Sequence, residues 1–219
     1  WSDRNTAVLF GDGAGAVVIE ESKDPSEGEI YSFVNGLSSD KLDILEVPNF
    51  GSAMDRFKED EAARVQWTFD GPEIFKGGIR AMANSSTEVI EKSGLSKEDI
   101  DILIPHQANL RIVEGLEKSL KLPNATTIKK VHKYGNTSAA SIPTALVDAL
   151  EAGEIKGGET AVFTAVGAGL SWGACALRLG ERTTPINTSD AKLPDFDGKA
   201  VDTIRKAIEY QIPEKLDLI

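Results

Sequence analysis

An alternation of two kinds of segment constrains this chain most. Short apolar runs at residues 102–104 (ILI), 161–166 (AVFTAV) and 174–179 (ACALRL) have the length of buried strands. Between and before them lie stretches with apolar residues at three- and four-residue spacing. Residues 72–93 carry Ile74, Phe75, Ile79, Met82, Val89 and Ile90 as one stripe, and residues 108–120 direct Leu110, Val113 and Leu120 inward. Residues 138–151 make a third helix. Pro72, just after Asp70 and Gly71, suits a helix start, whereas Gly94 and Gly153 suit helix ends. Strands alternating with helices predict an α/β layered domain.

The remaining segments are less periodic. Residues 6–10 (TAVLF) and 16–20 (AVVIE) read as two strands joined by a tight glycine-rich turn at 11–15. Residues 28–34 and 128–131 read as further strands, and the charged stretch 40–61 as an exposed loop or lid. Residues 181–197 are polar and carry two prolines, as a linker would. Beyond them Val201, Ile204 and Ile208 mark a short amphipathic helix at 199–210, expected to dock on the body of the protein.

Composition closes off several classes. Apolar residues make up 41% and charged residues 27%, as in ordinary globular proteins. A net charge of −11 argues against non-specific nucleic-acid binding. The longest apolar run, 160–179, is broken by glycines and does not suit a membrane span. A single cysteine excludes an internal disulfide and fits a reducing cytoplasm. The chain begins at Trp1, so it is expected to be a truncated or processed segment.

Two motif matches fail on context. The glycines at 11, 13 and 15 fit a loose dinucleotide fingerprint, but strand formers Val17, Val18 and Ile19 follow where a helix is required. Gly169-Leu-Ser171-Trp-Gly173 fits a hydrolase nucleophile elbow, yet no helix follows Ser171 either. Cys175 lies inside the final strand between two alanines and reads as a small hydrophobe. The segment ILIPHQANLR is more informative. It places His106 just beyond the C-terminal end of a strand, where α/β sheets bind ligands. Thirty residues later YGNTSAAS exposes Asn136 before a helix with small residues in its first turns. From the residues alone, both stay open between structural and catalytic roles. His132 reads as a surface residue.

HQANLR, GNTSAAS, the terminal glycine turn with Trp172 and Gly173, and GDGAGA at residues 11–16 resemble signature segments of the β-ketoacyl-acyl-carrier-protein (ACP) synthase III family. The likeness runs from residue 3 to about residue 179. It implies a thiolase-like layered α/β fold. Residues 1–27 would be the terminal hairpin of the N-terminal domain, 28–180 the C-terminal domain, and 181–219 a linker and docked helix that departs from the family. The implied activity is decarboxylating Claisen condensation of an acyl thioester with malonyl-ACP in fatty acid biosynthesis. His106 and Asn136 would be the catalytic donors, and the Ala168 N–H, at a position usually glycine, would belong to an oxyanion hole. Phe69, Gly71, Phe75 and Asn109 match positions lining a pantetheine channel, while Lys76 and Arg111 match positions that dock ACP.

The resemblance further implies CoA and ACP thioesters as substrates, no metal or redox cofactor, and a cytoplasmic homodimer. The nucleophilic cysteine would lie in the enzyme's N-terminal half, present as another chain or a cleaved portion. Between His106 and Lys133, six basic residues (Arg111, Lys118, Lys121, Lys129, Lys130, Lys133) outnumber Glu114 and Glu117, a local excess suited to an acidic carrier protein. Related condensing enzymes or acyltransferases of secondary metabolism, a non-catalytic partner subunit, and a serine hydrolase using Ser171 are the alternatives.

Overall fold

The computed structural model describes Thr6, residues 8–47 and 68–184, and the single residues 190, 198, 199, 202 and 205. The chain divides into two compact units, residues 1–46 with 69–185 and residues 47–68 with 186–219. The first unit is built on a five-stranded mixed sheet.

In chain order its strands are β1 (Glu29–Leu37), β2 (Ile102–Pro105), β3 (Thr126–Thr127), β4 (Thr160–Gly167) and β5 (Ser171–Arg178), and in space they run β1-β5-β4-β2-β3. β2 is parallel to both β3 and β4, whereas β5 is antiparallel to both β4 and β1. Period-2 alternation divides the core. Leu103, Val162, Ala174 and Ala176 face the helices α1 (Gly71–Lys92) and α2 (Leu110–Leu120), meeting Met82, Val89, Ile112, Leu116 and Leu120. Ile102, Ile104 and Ala161 face the other way, against Ala145 and Ala149 of α4 (Ser141–Glu151).

The helix ends follow from local chemistry. The Asp70 carboxylate accepts the Glu73 N–H at 3.1 Å and Pro72 lies in the first turn of α1. Gly94, at φ +71°, releases the chain after it. Asn109 caps α2 by accepting the Ile112 N–H at 2.9 Å. The inward stripe of α2 is Ile112, Val113, Leu116 and Leu120, and Leu110 falls outside it with 44% of its surface exposed. Phe75 likewise lies beside the buried stripe of α1, which runs through Ile74, Gly78, Met82 and Val89.

Three expectations are corrected. Residues 6–10 and 16–20 form no hairpin. Thr6 is helical, Phe10 makes an isolated bridge to Asn136, and Ala16 to Glu20 run exposed with no ladder beside them. A strand needs a partner, and β-propensity without one does not make a strand. The strand at 128–131 is shifted to Thr126–Thr127. Ile128 still donates to the Leu103 carbonyl at 2.9 Å, but the Gln107 side chain then captures the next N–H groups and the chain turns into the short helix α3 (Val131–Tyr134). In the loop expected at 40–61, residues 42–44 form a single helical turn with Ile44 buried against Ile74 and Leu170. Residues 48–61 of that loop, and nearly all of the helix expected at 199–210, lie outside the described residues. Among the described residues no helix is long and apolar enough to cross a membrane.

Leu116→Ala removes a fully buried side chain between helix and sheet and is expected to cost about 2–5 kcal/mol, read as a fall in the urea midpoint at constant m. Leu110→Ala, at the exposed position, is expected to stay within about 0.5 kcal/mol of wild type.

Candidate functional site

Because β2 runs parallel to both neighbours, β2, β3 and β4 end on one edge of the sheet, where open α/β sheets bind ligands. His106 is the first residue past β2, and its N–H is held by the Thr164 carbonyl of β4 at 2.7 Å. Gln107, only 2% exposed, follows. Its amide Nε2 donates to the carbonyls of Pro105 (2.7 Å) and Ile128 (3.1 Å), and its Oε1 accepts the N–H groups of Lys130 (2.8 Å) and Val131 (3.2 Å). This buried amide thus ties the exit of β2 to the segment that leads to Asn136.

The His106 ring approaches α4. Nδ1 lies 2.6 Å from Oγ of Ser141, and the same oxygen accepts the Gln107 N–H at 3.2 Å. Burial lowers the His106 pKa from 6.5 to about 4, so the imidazole is neutral at physiological pH. Asn136 sits on a turn opened by Gly135, at φ +68°. Its Oδ1 accepts the Ser138 N–H at 2.9 Å, which leaves the amide N–H groups as the free end of the side chain. Its backbone is gripped on both sides: its N–H donates to the Leu9 carbonyl (2.9 Å), and its carbonyl accepts the Gly11 N–H (3.0 Å).

That grip explains the glycines at 11, 13 and 15. A Cβ on Gly11 would lie 2.1 Å from the Tyr134 carbonyl oxygen, one on Gly13 3.0 Å from the Thr137 side chain, and one on Gly15 2.5 Å from the Pro143 ring. The strip is glycine-rich because it is pressed against the Asn136 loop and the start of α4. It is neither the tight hairpin turn expected nor a phosphate cradle.

The β4–β5 turn, residues 168–170, is closed by the Ser171 N–H on the Ala168 carbonyl at 3.1 Å. Ser171 opens a strand and its hydroxyl also donates to the Ala168 carbonyl, at 2.9 Å, which removes the hydrolase elbow. Ala168 has no positive φ, so an alanine is accommodated there and its N–H is retained. Leu170 packs with Ile44 and Ile74 and carries the turn over the start of α1.

Phe69, Gly71, Phe75 and Lys76 gather at that helix start. Phe69 packs against Ile44 and Ile74, a Cβ on Gly71 would touch the Phe69 ring at 3.5 Å, and the Phe75 ring tip comes 3.9 Å from the position of a Cβ on Gly115 of α2. Asn109 and Arg111 stand at the start of α2, Asn109 committed to its cap and Arg111 exposed, as is Lys76.

The basic excess counted along the sequence shrinks in three dimensions. Lys129 pairs with Glu117 at 2.7 Å, and buried Lys130 pairs with Glu154 (2.8 Å) and Asp148 (3.1 Å). Lys133 also pairs with Asp148. Arg111, Lys118 and Lys121 remain exposed. His132 is exposed too. Cys175 lies in register between Phe33 and Phe163, and burial raises its thiol pKa, opposite to what a nucleophile needs. Nothing in the sequence alone marks Gln107 and Ser141 as site residues beyond their place inside HQANLR and GNTSAAS.

Residues 90–179 match the profile described as 3-oxoacyl-[acyl-carrier-protein (ACP)] synthase III C terminal, and residues 1–37 match that of 3-oxoacyl-[acyl-carrier-protein (ACP)] synthase III. The chain belongs to the β-ketoacyl-ACP synthase III family. A family member of Vibrio cholerae, beta-ketoacyl-[acyl-carrier-protein] synthase III 2, is 48% identical over 212 residues, which cover 96% of this chain and 57% of that protein. The crystal structure of 3-oxoacyl-[acyl-carrier-protein] synthase III from Aquifex aeolicus is 39% identical, with a TM-score of 0.67 over 80% of this chain and 52% of that one. The priming β-ketosynthase from the R1128 polyketide biosynthetic pathway is 34% identical, with a TM-score of 0.73 over 82% of this chain and 53% of that one. The fold is therefore thiolase-like α/β, and the chain spans about half the length of the relatives it matches. The 212-residue match extends past residue 180, so the tail has a counterpart in a relative, against the expectation that it departs from the family.

The low His106 pKa has a sign that can be tested. Between pH 6.5 and about 4 the unfolded chain binds a proton that the native one refuses, so stability falls as pH falls through this window. Urea midpoints at pH 7 and pH 5 are expected to differ less in His106→Gln than in wild type. An equal difference in both would place the acid sensitivity elsewhere.

Proposed function

We propose that this chain is the C-terminal part of an acyltransferase that condenses an acyl thioester with malonyl-ACP in fatty acid biosynthesis, with release of CO₂. The observation that carries this reading is that each side chain is held at one end and open at the other. Nδ1 of His106 lies against the Ser141 hydroxyl and Oδ1 of Asn136 accepts the Ser138 N–H, so His106 keeps Nε2 and Asn136 its amide N–H groups for a substrate oxygen.

The chemistry follows from that. When the malonyl carboxylate leaves as CO₂, its bonding pair passes to the neighbouring carbon and negative charge builds on the thioester oxygen. His106 and Asn136 donate to that oxygen, and one such donor is worth about 3 kcal/mol. A neutral imidazole suits this task, because an imidazolium would hand its proton to the enolate. The carbanion then attacks the acyl thioester on a cysteine, and the thiolate departs. The Ala168 N–H serves the oxyanion of that second step. Phe69, Gly71, Phe75 and Asn109 line the pantetheine arm, while Lys76 and Arg111 meet the carrier protein.

On this reading the nucleophilic cysteine belongs to the enzyme's N-terminal half, since Cys175 is the only cysteine in the chain. Residues 1–27 would be the end of that half, 28–180 the C-terminal domain, and 181–219 a linker and helix. Val18, 92% exposed, and Phe33, 71% exposed, support a covering segment of this kind. The assembled enzyme would be a cytoplasmic homodimer working on CoA and ACP thioesters without a metal or redox cofactor. The likeness to the R1128 priming β-ketosynthase favours a second reading, the same condensation in secondary metabolism.

In the complete enzyme, His106→Ala or Asn136→Ala is expected to slow malonyl decarboxylation by about 10²-fold or more, with a smaller effect on cysteine acylation. Intact decarboxylation in both variants would refute the assignment. Arg111→Glu is expected to raise KM for malonyl-ACP far more than for malonyl-CoA, with the gap closing at high salt. Equal effects on the two substrates would make Arg111 a structural residue.

A further inference from the structure

We propose that Ser141 is a positioning residue that fixes His106 in the tautomer carrying its proton on Nε2. The catalytic consequence rests on the function proposed above, but the tautomer itself does not.

A serine hydroxyl has one proton to donate and two lone pairs to accept with. One lone pair of Ser141 takes the Gln107 N–H at 3.2 Å. The 2.6 Å separation from His106 Nδ1 requires a proton between the two atoms, and only two arrangements supply it. If Nδ1 carried the proton, Ser141 would accept twice and its own O–H would need a further acceptor. Ser141 is buried, and among the described residues no such acceptor lies within hydrogen-bonding distance of its hydroxyl. If Ser141 donates to Nδ1, the Gln107 N–H, the Ser141 O–H and the Nδ1 lone pair are each satisfied once. Leaving a buried hydroxyl proton unpaired is costly, so the second arrangement prevails. In a neutral ring the remaining proton is then on Nε2, the nitrogen turned away from α4.

The fixed elements around Ser141 make this bond dependable. The Gln107 N–H that orients the hydroxyl belongs to the residue whose side chain brackets β2 to the Asn136 segment. Ser141 itself is the first residue of α4. One hydroxyl thereby relates the ring to both motifs, and it decides which ring nitrogen is a donor.

The chain has two histidines, so His132→Gln leaves His106 as the only imidazole. Long-range proton–nitrogen NMR correlations on the ¹⁵N-labelled full chain at pH 7 report the tautomer directly. The expected spectrum has a pyridine-type Nδ1 and a pyrrole-type Nε2. Ser141→Ala is expected to shift it toward a mixture or toward Nδ1–H, and Ser141→Thr, which keeps the hydroxyl, to restore it. A wild-type ring protonated on Nδ1, or an unchanged Nε2–H spectrum in Ser141→Ala, would overturn the proposal. Should Ser141→Ala fail to fold by circular dichroism, the wild-type and Ser141→Thr spectra decide alone. In the complete enzyme, Ser141→Ala is expected to lower kcat for malonyl decarboxylation by about 10-fold or more at unchanged KM. An Nε2–H ring in an enzyme whose decarboxylation survives His106→Ala would uphold the Ser141 assignment and refute the condensing role.

Discussion

The four hydrogen bonds of the Gln107 side chain hold the candidate site together. They run to backbone groups on both sides of a gap in the sequence, Pro105 on one side and Ile128, Lys130 and Val131 on the other. A buried amide that satisfies all its donors and acceptors is rigid, because any rotation would leave a polar group unpaired in a low-dielectric interior. The same bonds end the pairing of β3 after two residues and start the turn that delivers Asn136. Sheet geometry and site geometry are therefore set by one residue, whose own position is fixed by the last residue of β2.

Electrostatics around the site are arranged differently from the linear charge pattern. Asp148 and Glu154, in and just after α4, reach Lys130 and Lys133, and Tyr134 adds a hydroxyl bond to Asp148 at 2.9 Å. These contacts anchor the segment before the Asn136 turn to the helix after it. They also withdraw two cations from the surface field, leaving a smaller basic patch at the start and end of α2. Long-range steering of an acidic partner would rest on that reduced set.

The helices and the inner strands were legible in the sequence because their signals are local. Asp70, Pro72 and Gly94 bound α1, and the runs at 102–104 and 161–166 found their sheet. His106 was legible as a strand-exit residue for the same reason. The failures share another cause. Residues 6–20 read as a hairpin by propensity, but β-structure requires a neighbour that propensity does not supply. Leu110 and Phe75 are apolar yet lie off the buried stripes, which only the helix's rotation on the sheet decides. The partners of Lys130 and Lys133 come from another element, so counting charges between two motifs could not find them. Ser141 stood in plain view, but its meaning depends on a hydroxyl meeting a ring thirty-five residues away.

The glycine strip has a consequence for the order of events in folding. The Asn136 turn takes its backbone partners from Leu9 and Gly11, more than a hundred residues earlier in the chain. Closing a loop of that size is entropically slow compared with forming α1 or α2, whose contacts are local. The turn therefore acquires its final shape only when the beginning of the chain has come back across it. An immature chain with its helices already formed would present His106 before the Asn136 turn has taken its final shape.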